Sequence, residues 1–336
     1  MSEEQLPKDD PQAAVASTAA ARPLLTGPKR QHFLPRFYLE GFAKDGLVAV
    51  FDRDKKEVRV QQPVNTGVIG HFYTMEDADG RQRFELEQML SEFEGKASPG
   101  IKKLAAMEQP TDEERADLAI FVALAGFRTP DIIESLKLFN SGLMSDIAKR
   151  MFANVELVKE TMRGKPGSPT SEEDLEQDAK EMVDFAQSDQ YEVTTNHRWA
   201  VGMAMKMAFE VAPLLAGRNW LVVHRPNEKK SFVTSDAPVV LSTVTPREPS
   251  FYGIGFGNAD AMVVFPLTQS CALVMFGEDG ALQHREIGSD AIRHMNLALA
   301  DRCQRFVIGR EEALVRSLSD RLGLAAKVWQ PKMQRG

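Results

Sequence analysis

From Phe84 to Gly217 the apolar residues recur with the three-to-four spacing of α-helices. The segments on either side instead carry short β-branched and aromatic runs separated by turn residues. Strands, then helices, then mostly strands is not the alternation of a doubly wound parallel sheet. It points to an α+β fold with an amino-terminal β-hairpin and strands, a central helical bundle, and a carboxy-terminal, mostly antiparallel sheet with helices. The terminal strands are expected to flank the bundle in one integrated domain over 29–330. Two subdomains divided near 165–190 are the alternative.

Local signals set the elements. Pro35 suits the first turn of a short helix that ends near Gly41 and Asp45-Gly46. "LVAVFDRDKKEVRVQ" (47–61) reads as a hairpin turning at Asp54-Lys55-Lys56, and Asp79-Gly80 marks a later turn. Leu86, Leu90, Phe93 and Ala97 form a helical stripe, with Pro99 expected to break or kink it. "TDEE" (111–114) is a capping box opening a helix to about Phe127, and a further helical stretch runs from Thr129-Pro130 to about Met162. "RGKPGSPT" (163–170) is a linker, and Ser171 with Asp174 starts an acidic, exposed helix. "TTNHRWAVGMAMKMAFEVAPLLAG" (194–217) is a strongly apolar helix in which Met203, Met205 and Met207 read as core filler. Strand-like runs follow at 220–225, 231–235, 238–242, 261–267 and 271–277. A late helix (289–303), a last strand (305–309) and a terminal helix (311–322) complete the pattern.

Composition excludes more than it identifies. With 43% hydrophobic and 26% charged residues the chain has the make-up of a globular protein. Its net charge of −7 disfavours broad contact with nucleic-acid backbones or anionic membranes, although a local basic groove would remain compatible with it. Residues 1–28 are rich in Ala, Pro, Asp and Ser without periodicity and read as a disordered tail without a secretory signal. No apolar run reaches the length of a bilayer span. Cys271 and Cys303 show neither a disulfide framework nor metal-ligand spacing, which fits a reducing cytoplasm. No metal site and no particular cofactor is indicated.

The informative residues are polar groups that periodicity turns inward, because burying such a group without a partner costs about 1–3 kcal/mol. Arg128 lies within about 20° of Phe121 on the Phe121, Leu124, Ala125 face. It either snorkels outward or caps the last carbonyls, or it meets a carboxylate or a bound anion. Asn296 shares a stripe with Ile292, Leu299 and Cys303; it is a backbone-bonded amide or a ligand contact. His197 precedes Val201, Ala204 and Ala208, as a satisfied histidine at a helix start or a site residue. Glu87 and Glu94 stand two turns apart, roughly 10 Å in rise, too far to grip one ion easily. They form a solvated face or line the wall of a groove. "FVTSDAPVV" (232–240) puts Thr234, Ser235 and Asp236 at a strand end, where an aspartate closes an Asx-turn or projects as a functional carboxylate.

Familiar chemistries are missing. There is no dinucleotide fingerprint, P-loop, zinc-protease pattern or nucleophile elbow, and "GIGFG" (253–257) lies between strands rather than before a helix.

"HFLPRFYLEGFA" carries His32, Pro35, Tyr38, Leu39 and Phe42 in a His-x-x-Pro-x-x-Tyr-Leu-x-x-Phe pattern. In this it resembles the bacterial domain-of-unknown-function 4238 family. The likeness continues through "HFYT" (71–74), the glutamate helix at 85–94, "FRTP" (127–130), "FVTSDAPVV", "FPLTQ" (265–269) and "HMNLALA" (294–300), covering about 31–310. The resemblance implies no activity. It does coincide with the inward-turned polar residues, so His32, Arg128, Asp236 and Asn296 are expected to converge on one pocket. His32, Arg128 and Asp236 are the expected catalytic group, with Asp236 as base or ligand. Asn296, His197, Glu87, Glu94 and Ser235 are the expected substrate contacts.

Histidine with a carboxylate suits acid–base work, and arginine suits phosphate or carboxylate groups. One expectation is therefore a hydrolase acting on a phosphate-bearing or nucleic-acid substrate, with or without a divalent metal, the ligand being an anionic small molecule or a nucleic acid. The other is a non-catalytic binding or regulatory module, in which the same residues form a structural network joining the amino-terminal hairpin to the carboxy-terminal strands.

Overall fold

The computed structural model describes residues 30–76, 82–188, 190–245 and 253–322. The amino-terminal tail, the Asp79-Gly80 turn and the chain beyond 322 lie outside them. The amino-terminal part holds β1 (Arg30–His32), α1 (Arg36–Glu40), β2 (Val48–Asp52), β3 (Glu57–Gln61), β4 (Val68–Gly70), β5 (Met75–Glu76) and β6 (Gln82–Arg83). The helical part holds α2 (Glu85–Ala105), α3 (Asp112–Phe127), α4 (Pro130–Met151), α5 (Val155–Met162), α6 (Glu172–Gln187) and α7 (His197–Gly217). Then come β7 (Asn219–His224), β8 (Thr234–Ser235), β9 (Val240–Thr243), β10 (Ala261–Pro266), β11 (Cys271–Phe276), β12 (Leu282–Glu286), α8 (Ser289–Arg302), β13 (Phe306–Gly309) and α9 (Glu312–Ser319). The fold is α+β.

One sheet of five strands has the order β12-β7-β11-β10-β9, antiparallel except where β12 runs parallel to β7. A second, of order β3-β2-β13-β8 and antiparallel throughout, interleaves the two ends of the chain: the amino-terminal hairpin pairs with β13, and β13 with β8. β1 pairs with β4 as a separate short ribbon. The largest core cluster draws on α1, β2, α2, α3, α7 and the five-stranded sheet. α7 has the length and apolarity of a membrane span by composition alone, but it packs along α3 and α4 and gives Val201, Ala204, Ala208 and Leu215 to this core.

Caps at helix starts follow the sequence closely. The Thr111–Glu114 capping box is complete, with the Glu114 N–H donating to Thr111 Oγ1 and the Thr111 N–H to Glu114 Oε2. Ser171 likewise accepts the Asp174 N–H. Elsewhere the structure differs from expectation. Pro99 does not end α2, which continues to Ala105. Residue 99 lies on the exposed side, and the carbonyl left without a donor belongs to Gly95, four residues back and also exposed, so the lost bond is not buried. The stretch expected to be helical as far as Met162 is split, because Asn154 starts α5 by accepting the N–H groups of Glu156 and Leu157. β1 and β12 are strands that the periodicity did not mark.

The motif at the chain's start is tied in by one hydroxyl. Tyr38 Oη, in the dry core, donates to the Pro266 carbonyl at 2.8 Å and pairs with Thr234 Oγ1 at 2.8 Å, joining α1 to β10 and β8. The Gln269 N–H and Nε2 hold the end of α1 through the Gly41 and Ala43 carbonyls. Tyr38→Phe leaves the Pro266 carbonyl and the Thr234 hydroxyl short of a partner, so chemical denaturation is expected to show a loss of about 1–3 kcal/mol. A variant as stable as the wild type would mean that these bonds contribute nothing.

Candidate functional site

Arg128 is where sequence and structure meet most clearly. It closes α3, its backbone N–H bonded to the Leu124 carbonyl, on the face that buries Phe121, Leu124 and Ala125. The guanidinium therefore points inward, with only 1% of the residue exposed. α2 packs against α3 and brings Glu94 to it, with Arg128 Nη1 donating to Glu94 Oε1 at 2.8 Å. Arg128 Nε and Nη2 are buried and have no hydrogen-bond partner among the described residues. A buried guanidinium with two idle donors is costly unless something else meets them.

Glu87 lies two turns before Glu94 on α2. It is partly buried, and among the described residues its carboxyl has no hydrogen bond or ion pair. Burial, reinforced by the charge of Glu94 and opposed by Arg128, pushes that carboxyl up to about 7. Burial alone would lower the Arg128 guanidinium, but Glu94, Tyr73 and Glu87 hold it firmly cationic. The Tyr73 hydroxyl, kept protonated by burial, donates to the Arg128 carbonyl at 3.0 Å. The Tyr73 N–H is fixed by Gln31 Oε1, so the turn after β4 is locked to β1.

His32 ends β1, near enough to Glu94 to feel its charge. Its Nε2 lies 3.3 Å from the Val64 carbonyl, which can only accept, so the proton sits on Nε2 and Nδ1 is left as an acceptor. Burial lowers its pKa below the ordinary histidine value, partly offset by the Val64 bond and by the negative charge of Glu94. His197, at the first position of α7, bonds the Phe72 carbonyl at 2.9 Å and stacks edge-on to the Phe72 ring. It thereby holds the residue next to Tyr73.

The expected residues thus fall into two groups. Arg128, Glu94 and Glu87 sit together with Tyr73, His32 is close enough to feel Glu94, and His197 braces the turn behind them. Asp236, Ser235 and Asn296 do not join them. Asp236 accepts the backbone N–H groups of Gln304, Arg305 and Phe306 at 2.6–3.1 Å; burial pushes its carboxyl up to about 6 against those three bonds. Ser235 bonds within its own turn to the Ala237 N–H and carbonyl. Asn296 accepts the Val233 N–H and donates to the Ser231 carbonyl. Each of these three is satisfied by backbone, so the expected meeting of His32, Arg128, Asp236 and Asn296 in one pocket is not found.

Tyr73 and Gln31 were not singled out from sequence. Tyr73 lies inside "HFYT", but no periodicity surrounds it to show that it turns inward. The glycine-rich "GIGFG" loop is also accounted for. The carbonyls of Phe256, Asn258 and Ala261 accept from the buried Arg218 guanidinium, the opposite polarity to a phosphate cradle. Among the described residues no group of three or more His, Cys, Asp or Glu side chains could hold a metal ion.

An α+β fold that buries an arginine between helical carboxylates defines the structural class. The model of a family described as a protein of unknown function, DUF4238, matches residues 30–313, and the chain belongs to that family. No curated protein and no solved structure matches it.

The raised Glu87 carboxyl has a thermodynamic consequence. A group whose folded pKa lies above its unfolded value stabilises the fold at low pH and loses that contribution as pH rises through the folded value. Glu87→Gln, which cannot ionise, is therefore expected to gain in melting temperature relative to wild type as pH passes from about 5 to above 8. A difference independent of pH would contradict the raised carboxyl.

Proposed function

We propose that the protein is a hydrolase of phosphate-bearing substrates whose chemistry is carried by Glu87, Arg128 and His32. The observation that supports this most directly is the Arg128 guanidinium, buried with two donors idle among the described residues, beside a Glu87 carboxyl that has no bond to any of them. In this reading Arg128 holds the phosphoryl oxygens and stabilises the charge that develops on them, as a fixed cation in a poorly solvated site does well. Glu94 positions Arg128. Glu87 is protonated often enough near neutral pH to donate to the leaving oxygen, and the neutral His32 ring offers Nδ1 to take a proton from the attacking water. We place this activity in the cytoplasm, in keeping with two buried free thiols, Cys271 and Cys303.

A second reading has its own support. Asp236 and Asp52 both bind Arg305: Asp236 takes its backbone N–H, and Asp52 forms a two-pronged pair with its side chain at 3.0 Å for each contact. This network joins the hairpin β2–β3 to β13 and to the "TSDAPV" turn, as a non-catalytic module held by its polar residues would require.

The two readings separate in a screen of aryl phosphate mono- and diesters. The hydrolase reading expects turnover to fall at least about a hundredfold in Glu87→Gln and in His32→Ala, with circular dichroism unchanged in Glu87→Gln. Turnover unaffected by both substitutions, or absent throughout, favours the structural module.

A further inference from the structure

A guanidinium offers an oxyanion two forks, the end formed by Nη1 and Nη2 and the side formed by Nε and Nη2. In Arg128, Glu94 occupies Nη1 and so spoils the end-on fork. The two idle nitrogens are those of the side edge. We propose that this side edge receives one terminal, singly charged oxyanion of a small molecule, a carboxylate or a phosphate monoanion, and that binding draws a proton onto Glu87. The inference rests on the site described under Proposed function and narrows what that site accepts.

Burial makes the ligand terminal. With Arg128 1% exposed, an anion that is to meet its edge has to enter end-first, with its covalent continuation leaving on one side. An internal phosphodiester continues on both sides and would stay at the surface, which sets nucleic-acid backbones aside.

Charge makes the ligand singly ionised and the binding proton-linked. The charges of Glu94 and Glu87 from α2 and the Tyr73 hydroxyl from the turn after β4 act on Arg128, and the His32 ring from β1 lies within reach of Glu94. His197 at the start of α7 is committed to the Phe72 carbonyl. Arg30 and Arg36, the cations felt by His32, are exposed and engaged with Asn65 and Glu40. One guanidinium therefore already meets two carboxylates. A bound anion would be a third negative charge unless one carboxylate is neutralised. Glu87 is the one that can be, since it has no bond to lose, and once protonated it can donate to the ligand.

The test is calorimetric titration of the full chain with benzoate, phenyl phosphate and diphenyl phosphate, in two buffers of different ionisation heat. Benzoate has no titration of its own near neutral pH, so any proton taken up with it belongs to the protein. Expected are binding of benzoate, phenyl phosphate or both; with benzoate, uptake approaching one proton above about pH 8 and affinity falling roughly tenfold per pH unit there; with phenyl phosphate, which has to gain a proton itself to bind as the monoanion, one proton more and a steeper fall. Glu87→Gln should take up one proton fewer than wild type with either probe, so that its benzoate profile is flat, and Arg128→Lys should bind at least about tenfold more weakly. Benzoate alone or phenyl phosphate alone identifies which oxyanion is preferred. Diphenyl phosphate binding as tightly as either, wild-type binding without proton uptake, or no binding of any probe by wild type and by well-folded Glu87→Gln overturns the inference. Proton-linked binding without hydrolysis of any ester removes the hydrolase reading alone. Hydrolysis that depends on Glu87 without proton-linked binding removes only the present inference.

Discussion

A cation buried at a helix end, in contact with a single carboxylate oxygen, is the constraint around which this part of the molecule is arranged. Arg128 cannot turn outward, because its position on α3 continues a face that is otherwise all core. Its charge therefore has to be met from inside. Glu94 meets one nitrogen, the field of Glu87 and the Tyr73 hydroxyl add to it, and two donors are left over. Truncating either member of a buried pair leaves the other uncompensated and is usually costly. The arrangement is thus stable only as a set, and the partly exposed Glu87 is its one unbonded member.

The rest of the fold positions that set. Tyr38 anchors α1 to two strands of different sheets, and α1 follows directly from the β1 segment that carries His32. Asn296 clips α8 to the 231–233 backbone, while Asp236 and Asp52 fix Arg305 and with it the entry into β13. Several residues of the stretches that carry the resemblance therefore serve architecture. "FPLTQ" supplies a carbonyl and a glutamine that hold α1, and "TSDAPV" supplies a hydroxyl and a carboxylate that hold the sheet of interleaved chain ends.

Much of the fold was legible because it is written locally. The hairpin at 47–61, the Thr111 capping box, the Ser171 cap and the apolar α7 each depend on residues within a turn or two of one another. β1 and β12 were not legible, since three and five residues without alternation gain their strand character only from partners distant in sequence. The site divides in the same way. Helical period correctly turned Arg128 and Asn296 inward and put Glu87 and Glu94 on one side of α2. Which carboxylate would face Arg128 was not written locally. Asp236 was expected in the same pocket as Arg128, but the packing of α2 on α3 supplied Glu94, and three N–H groups arriving with β13 claimed Asp236. A polar residue's inward direction can be read from its own helix, whereas its partner depends on how the helices pack.

The most direct measurement is the titration of the Glu87 carboxyl itself, followed by carbon-13 NMR in side-chain-labelled protein and assigned by the signal lost in Glu87→Gln. The account predicts a midpoint near 7. A midpoint in the ordinary glutamate range, near about 4.3, would contradict it, because Glu87 would then be a solvated surface carboxylate.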